Sequence, residues 1–173
     1  FVKDITVFQR SQYNFVAQYS FEGDLSEVNA AYPDGQAVTD AYATGTATAL
    51  YAEGQVGQAL NLDGGYGVLL PTSVLDRHTY TISLWLNETE NLGFRPAVFA
   101  ANSQFPERWS SFLPASWNGE LMLWSRWDDG PNFPWFDAFT GVVYPDNEWH
   151  HVAYAVDNGA VTVFYDGQVV GTG

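Results

Sequence analysis

The residues best suited to chemistry lie in one aromatic stretch, WSSFLPASWNGELMLWSRWDDGPNFPWFD, which spans residues 109–137 and contains five tryptophans. An exposed indole offers a flat apolar surface to the C–H face of a sugar ring, while charged and amide side chains beside it bond the hydroxyls. Trp127 and Trp135 bracket a polar turn, DDGPNFP. The sequence therefore predicts a sugar-binding site made of Trp117, Arg126, Trp127, Asp128, Asp129, Asn132 and Trp135.

Burial is the alternative interpretation of the same tryptophans. The stretch ELMLWSRW alternates as a strand does, so that Leu121 and Leu123 share one face and Met122 and Trp124 share the other. Tryptophans flanked by Gly, Pro, Asn and Asp are harder to bury on such a strand. A second small core beneath a long loop remains the competing explanation.

Two adjacent histidines, His150 and His151, are the other candidates for metal binding or catalysis. Asn158-Gly159 and Asp166-Gly167 after them are strong signals for tight hairpins and are separated by the length of one strand. Successive side chains of a strand point to opposite faces, so these two imidazoles cannot share one ion. The pair is predicted to be architectural, with one ring packed or hydrogen-bonded inside and the other at the solvent.

The elements that must hold these residues are predicted to be short strands. TYTISLWLN, residues 79–87, alternates apolar and polar side chains, and GQALNLDGGYGVLL, residues 57–70, predicts two strands joined by a hairpin at 63–65. Residues 25–48 read as loop with at most one short strand. No helical spacing of apolar residues persists with caps. Many short strands separated by turn residues predict an all-β sandwich.

Composition limits the partners. The chain has 173 residues, fits one domain, and contains no cysteine, which excludes a thiolate metal site, a cysteine nucleophile and disulfides. Twenty acidic and six basic residues give a formal charge of -14, which argues against nucleic acid and anionic membranes. No apolar run is long enough to span a membrane. The acidic balance suits a salty habitat, calcium, or a neutral partner such as a glycan.

Three motifs occur in a fixed order: GQALNLDGG at 57–65, YTISLW at 80–85, and WHHVA at 149–153 followed by YDG at 165–167. Together they resemble the laminin-G-like jelly rolls of the concanavalin A-like lectin/glucanase superfamily, over most of the chain from Tyr19 onwards. The resemblance implies an antiparallel two-sheet jelly-roll sandwich.

Two departures from the family pattern affect the domain prediction. Family members continue for two or three strands beyond the last hairpin, so the jelly roll is expected to lack its last strands here. A long aromatic insertion is also expected between Asn102 and Tyr144. We predict an N-terminal strand or linker remnant over residues 1–14 and a C-terminally incomplete jelly-roll domain over residues 15–173.

The resemblance further implies a non-catalytic carbohydrate-binding module, an accessory domain of a secreted, extracellular glycoside hydrolase. Its partners would be a polysaccharide or oligosaccharide and a neighbouring domain of the same parent protein. The alternative is a structural or protein-interaction domain that packs against a neighbouring catalytic domain.

Catalysis by this chain is not predicted. Glycoside hydrolysis needs two opposed carboxylates, and hydrolytic relatives carry an E-x-D-x-x-E motif that this sequence lacks. The nearest acidic pairs, Glu88 with Glu90 and Asp128 with Asp129, lie at predicted strand ends, where solvated loop acids are common. No nucleophile-elbow motif is present either.

A structural calcium ion is the one cofactor predicted. The corner SFEGD, with Glu22 and Asp24, resembles the N-terminal half of a calcium clip in related jelly rolls. Calcium requires six to eight oxygen ligands. The alternative is an ordinary acidic turn.

Overall fold

A computed structural model describes residues 1–9, 14–39, 45–75, 79–89, 93–101, 109–126, 135–145 and 147–173. These residues form fourteen β-strands and one 3-10 turn at Thr72–Val74, with no α-helix. The predicted all-β class is confirmed. None of the described residues belongs to a helix that could cross a membrane.

The larger sheet contains eight antiparallel strands. They are β1 (Val2–Gln9), β2 (Asn14–Tyr19), β4 (Tyr51–Glu53), β5 (Gln58–Leu60), β7 (Thr79–Asn87), β12 (Trp149–Asp157), β13 (Ala160–Tyr165) and β14 (Gln168–Thr172). Their order is β14-β13-β12-β7-β1-β5-β4, with β2 also paired to β1. The first strand of the chain therefore lies inside the sheet.

The hairpins predicted near the C-terminal end are confirmed. β12 pairs with β13 and β13 with β14. Asn158, Gly159, Asp166 and Gly167 have φ angles of 50°, 101°, 47° and 78°. Positive φ at both central residues is what a two-residue type I′ turn requires, and Asn-Gly and Asp-Gly meet that requirement at low cost.

The smaller sheet has four strands in the order β11-β10-β9-β8, namely β8 (Val98–Ala101), β9 (Trp109–Leu113), β10 (Met122–Arg126) and β11 (Trp135–Phe139). The sequence pattern predicts β10 but misses β9 and β11. The segment expected to be an aromatic insertion therefore contains β9, β10 and β11, which make up most of this sheet.

The prediction that a hairpin at residues 63–65 joins two paired strands is wrong. The turn itself forms, since Asp63 Oδ1 accepts a hydrogen bond from the Gly65 N–H at 2.8 Å and Gly64 has a φ of 88°. However, β5 pairs with β4 and β1, whereas β6 (Gly67–Leu69) pairs with β3 (Gln36–Val38) in a separate two-stranded sheet. The residues between β5 and β6 are numerous enough to carry the chain between sheets.

The core lies between the two main sheets and confirms the sandwich. Phe112 and Leu123 of the smaller sheet belong to the same buried cluster as Leu84 and Tyr154 of the larger one. The rings of Phe112 and Tyr154 stack with centroids 5.9 Å apart. Ser110 Oγ bonds the hydroxyls of Tyr80, at 2.9 Å, and of Tyr154, at 3.3 Å, and so links the sheets.

Candidate functional site

The outer face of the smaller sheet carries a row of side chains that crosses all four strands. In ladder register, Phe99 lies opposite Ser111, Ser111 opposite Trp124, and Trp124 opposite Asp137. The alternate residues of the same strands point inward and are buried in the core: Ala100, Phe112, Leu123 and Ala138. With strands spaced about 4.8 Å apart, the row extends about 14 Å.

Six aromatic rings on this side of the sheet form a continuous chain of contacts. The rings, in order, are Phe139, Trp117, Phe94, Trp124, Trp109 and Phe99, and their successive centroids are 5.4, 5.7, 5.2, 4.8 and 5.4 Å apart. These distances are typical of favourable aromatic pairs. We call these six residues together with Asp137 the aromatic face.

Exposed aromatic surface is concentrated here. Phe99 is 61% exposed, Trp117 57%, Phe94 44% and Phe139 39%, and no other Phe, Tyr or Trp whose side-chain burial the structure describes is as exposed. A contiguous apolar patch of this kind on a domain surface commonly marks a binding site.

Buried side chains also lie on the outer side of the smaller sheet. Leu113 and Met122 are fully buried, although neither belongs to the core between the sheets. Met122 shares the outer side of β10 with Trp124, which is only partly exposed. The two sequence-based interpretations of the tryptophans therefore apply to different residues: Trp109 and Trp124 are partly buried on the outer side that they share with Leu113 and Met122, and Trp117 is presented to solvent.

Asp137 is the carboxylate of the aromatic face. It is exposed, and it has no hydrogen-bond or ion-pair partner among the described residues. Partial burial raises the pKa of its carboxyl above the usual value. In contrast, the nearby Glu120 accepts a hydrogen bond from the Gly141 N–H at 3.1 Å.

The residues predicted from the sequence are distributed unevenly over this region. Trp117 lies on the aromatic face, and Arg126 lies at the end of β10, opposite Trp109 on one side and the backbone of Trp135 on the other. Four further predicted residues lie outside the described part of the chain: Trp127, Asp128, Asp129 and Asn132. Their role and that of Trp135 stay predictions.

Most of the aromatic face is missed by the sequence prediction, which includes neither Asp137 nor the phenylalanines. A usable signal was the alternation within β11, WFDAF, where Asp137 and Phe139 share the face opposite the buried Ala138. No comparable sequence pattern identifies Phe94 and Phe99, because Phe99 lies on a short strand and Phe94 lies in the segment before it.

The two predicted calcium ligands have other partners. The Glu22 carboxylate forms an ion pair with the Lys3 ammonium, and its Oε2 accepts a hydrogen bond from the Gln58 N–H at 2.9 Å. Asp24 Oδ1 accepts hydrogen bonds from the Ser26 hydroxyl and N–H at 2.6 and 3.0 Å, which lower the pKa of Asp24.

The described residues contain no group of three or more acidic or histidine side chains placed to hold a metal ion. Two carboxylates fall short of the six to eight oxygens that calcium takes. The structural calcium ion at Glu22 and Asp24 stays a prediction.

The histidines lie on opposite faces of β12, as predicted. His150 Nδ1 is 2.7 Å from Asp166 Oδ2, and its ring stacks on Tyr165 with centroids 4.7 Å apart. His151 Nε2 is 2.7 Å from Ser83 Oγ on the neighbouring strand. Both rings are partly buried and each has its own partner, so they share no ligand site.

Comparison with known proteins defines the class. The family model described as the Concanavalin A-like lectin/glucanases superfamily matches residues 62–173, more than half of the chain. The chain belongs to this superfamily, which confirms the resemblance seen in the three sequence motifs.

Among solved structures, the chain is similar to domain 4 of AbnA, a GH43 extracellular arabinanase from Geobacillus stearothermophilus, in complex with arabinotriose. The two are 33% identical, with a TM-score of 0.80, over 91% of this chain and 74% of that one. No match was found among curated proteins.

Proposed function

We propose that this domain is a non-catalytic carbohydrate-binding domain of an extracellular glycan-degrading enzyme, and that it binds an oligosaccharide or polysaccharide on the aromatic face. The observation that carries the proposal is the gathering of four exposed aromatic side chains on one sheet face, beside a carboxylate. The similar domain from an extracellular arabinanase, which is in complex with arabinotriose, supports an oligosaccharide ligand.

The physical argument is one of preorganisation. Trp109 and Trp124 contact each other edge to face with ring centroids 4.8 Å apart, and both are only partly exposed, so packing holds the centre of the face in place before any ligand arrives. A rigid apolar platform loses little conformational entropy on binding. The row from Phe99 to Asp137 is about 14 Å long, which suits several sugar rings better than one.

Polar groups around the platform supply the hydroxyl partners. Asp137 is exposed and lies next to Trp124 in the same row, whereas Ser111 on the other side of Trp124 is buried. Arg126 lies in the next row and leads into residues 127–134. The proposed contribution of Trp127, Asp128, Asp129 and Asn132 rests on the sequence alone.

The proposal assigns no catalysis to this domain. Hydrolysis of a glycosidic bond needs two carboxylates that face each other across it. Asp137 is the only acidic residue on the four strands of the smaller sheet. The domain would instead keep its parent enzyme close to a glycan.

The test is calorimetric titration with arabinotriose and a panel of other soluble glycans, comparing the wild-type domain with Trp117→Ala and Phe99→Ala. Each substitution should weaken binding about tenfold by removing a stacking ring. Because both rings are largely exposed, Tm should move by no more than about 2 °C. Val169→Ala is the control, since Val169 is 58% exposed on β14 of the other sheet and should not affect affinity.

A protein-interaction domain is the second candidate, because an exposed apolar face also suits docking against a neighbouring domain. Wild-type binding that both substitutions leave unchanged would move the sugar site off the aromatic face. A folded domain that binds no glycan in the panel would favour the interaction domain instead.

A further inference from the structure

We propose that Asp137 is the hydroxyl-binding carboxylate of the aromatic face and restricts the site to neutral sugars, so that uronic acids and other anionic glycans are excluded. The inference rests on the proposed function and adds to it the charge class of the ligand and the residue that selects it.

The position of Asp137 fits this role. It lies directly across from Trp124 in the β10–β11 ladder, where facing side chains have Cβ atoms about 5 Å apart. Trp124 contacts both Phe94 and Trp109 and is central to the chain of rings. A sugar ring that stacks on an indole directs its hydroxyls sideways from the edge of the ring. A carboxylate beside Trp124 is therefore placed to accept hydrogen bonds from them.

The state of the Asp137 carboxylate points the same way. Two other carboxylates of the domain are engaged by the fold: Glu27 accepts hydrogen bonds from the backbone N–H groups of Gln18 and Ala31, and Asp166 from that of His151. Asp137 has no such partner in the described part of the chain, and partial burial raises its pKa. A partly desolvated acid without a structural partner is a candidate for ligand binding.

The charges near the face favour a neutral ligand. A ligand carboxylate within hydrogen-bond distance of Asp137 would meet a like charge, and the chain as a whole carries a formal charge of -14. Arg126 is the basic residue on the strands of this sheet; it lies one row from Trp124 and is half-buried, whereas Asp137 is exposed. The group presented directly to a ligand on Trp124 is therefore the negative one.

The experiment titrates the domain with a panel of neutral trisaccharides that includes arabinotriose, and with trigalacturonate, which has a carboxylate on each ring. The wild-type domain should bind at least one neutral trisaccharide and bind trigalacturonate at least about tenfold more weakly. Asp137→Asn should weaken neutral binding about tenfold, because it replaces a charged hydrogen-bond acceptor by a neutral one. It should also reduce the discrimination against trigalacturonate.

Glu53→Gln is the matched control. It removes the same charge from an exposed residue of β4, in the other sheet, and should change neither affinity. The inference is overturned, and the proposed function stands, if neutral and acidic trisaccharides bind equally or if Asp137→Asn binds like the wild type. If the folded domain binds none of these sugars, the proposed function fails and the inference fails with it.

Discussion

Among single residues, Lys3 shows how one irregularity places a charge inside the fold. Asp4 has a φ of 51°, and the register of β1 against β7 shifts between Lys3 and Thr6. This bulge changes the alternation, so that Ile5 and Val7 join Val2 in the core. Lys3 is left 3% exposed beneath the corner at residues 20–24.

Glu22 is predicted to matter more for stability than Lys3 itself. Glu22→Gln removes the nearest negative charge from a buried ammonium whose other partners are the Ser20 carbonyl at 3.2 Å and the Asp4 carboxylate at 3.9 Å, and should cost about 1–3 kcal/mol of unfolding free energy. Lys3→Met should cost less, because Glu22 is nearly half exposed and water can solvate it. Urea unfolding of the two variants gives the comparison.

The same measurement separates this ion pair from the predicted calcium ion. If Glu22 and Asp24 hold calcium, EDTA should lower the Tm of the wild type, and Glu22→Gln should abolish that response. If EDTA has no effect while Glu22→Gln still destabilises, the corner is held by the ammonium. Equal stability of Glu22→Gln and wild type would show that the ion pair contributes little.

At the scale of elements, the two main sheets are joined by a small polar network inside an otherwise apolar core. Ser110 of β9 bonds the hydroxyls of both Tyr80 of β7 and Tyr154 of β12. Burial raises the pKa of each tyrosine. The network therefore stays neutral and its stability depends on hydrogen bonding.

Ser110→Ala is predicted to cost more stability than Tyr154→Phe. The first leaves two buried hydroxyls without this partner and should cost about 2 kcal/mol, whereas the second leaves Ser110 bonded to Tyr80 and should cost about 1 kcal/mol or less. Urea denaturation followed by tryptophan fluorescence measures both. A larger loss in Tyr154→Phe would mean that packing of the phenol against Phe112, rather than the network, joins the sheets.

The strands that the sequence predicts are those with one apolar face. β7 alternates because Ile82, Leu84 and Leu86 are buried while the intervening side chains are partly exposed. β9 is missed because Leu113 is buried on the outer side of the sheet just as Phe112 is buried in the main core. When both faces of a strand are apolar, the period of two disappears from the sequence.

The candidate site could be predicted only in part from the sequence. A cluster of tryptophans among turn residues identifies the region and includes Trp117. Asp137 and Phe99 join it only through strand pairing, since they are far apart in the chain and lie at the two ends of a row that crosses four strands. Local sequence patterns cannot supply such long-range register.

At the scale of the whole molecule, buried tyrosines should make the domain sensitive to alkaline pH. Burial raises the pKa of Tyr19 and of Tyr165 to about 12, and it raises those of Tyr80, Tyr144 and Tyr154 as well. Unfolded tyrosines ionise near pH 10. Between pH 10 and 12, unfolding therefore releases protons, and stability present below pH 10 is lost as the pH rises, by on the order of 1 kcal/mol per pH unit for each such tyrosine.

Measurements in salt distinguish the ionisation of buried tyrosines from charge repulsion within a chain of formal charge -14. Repulsion between surface charges is screened at 0.5 M NaCl, whereas the cost of ionising a buried phenol is not. We expect salt to raise Tm at every pH and yet to leave a steep fall in Tm above pH 10, with tyrosinate absorbance at 295 nm increasing together with unfolding. A Tm that becomes independent of pH in high salt would instead assign the alkaline sensitivity to repulsion between tyrosinates and the acidic surface, because only that contribution can be screened.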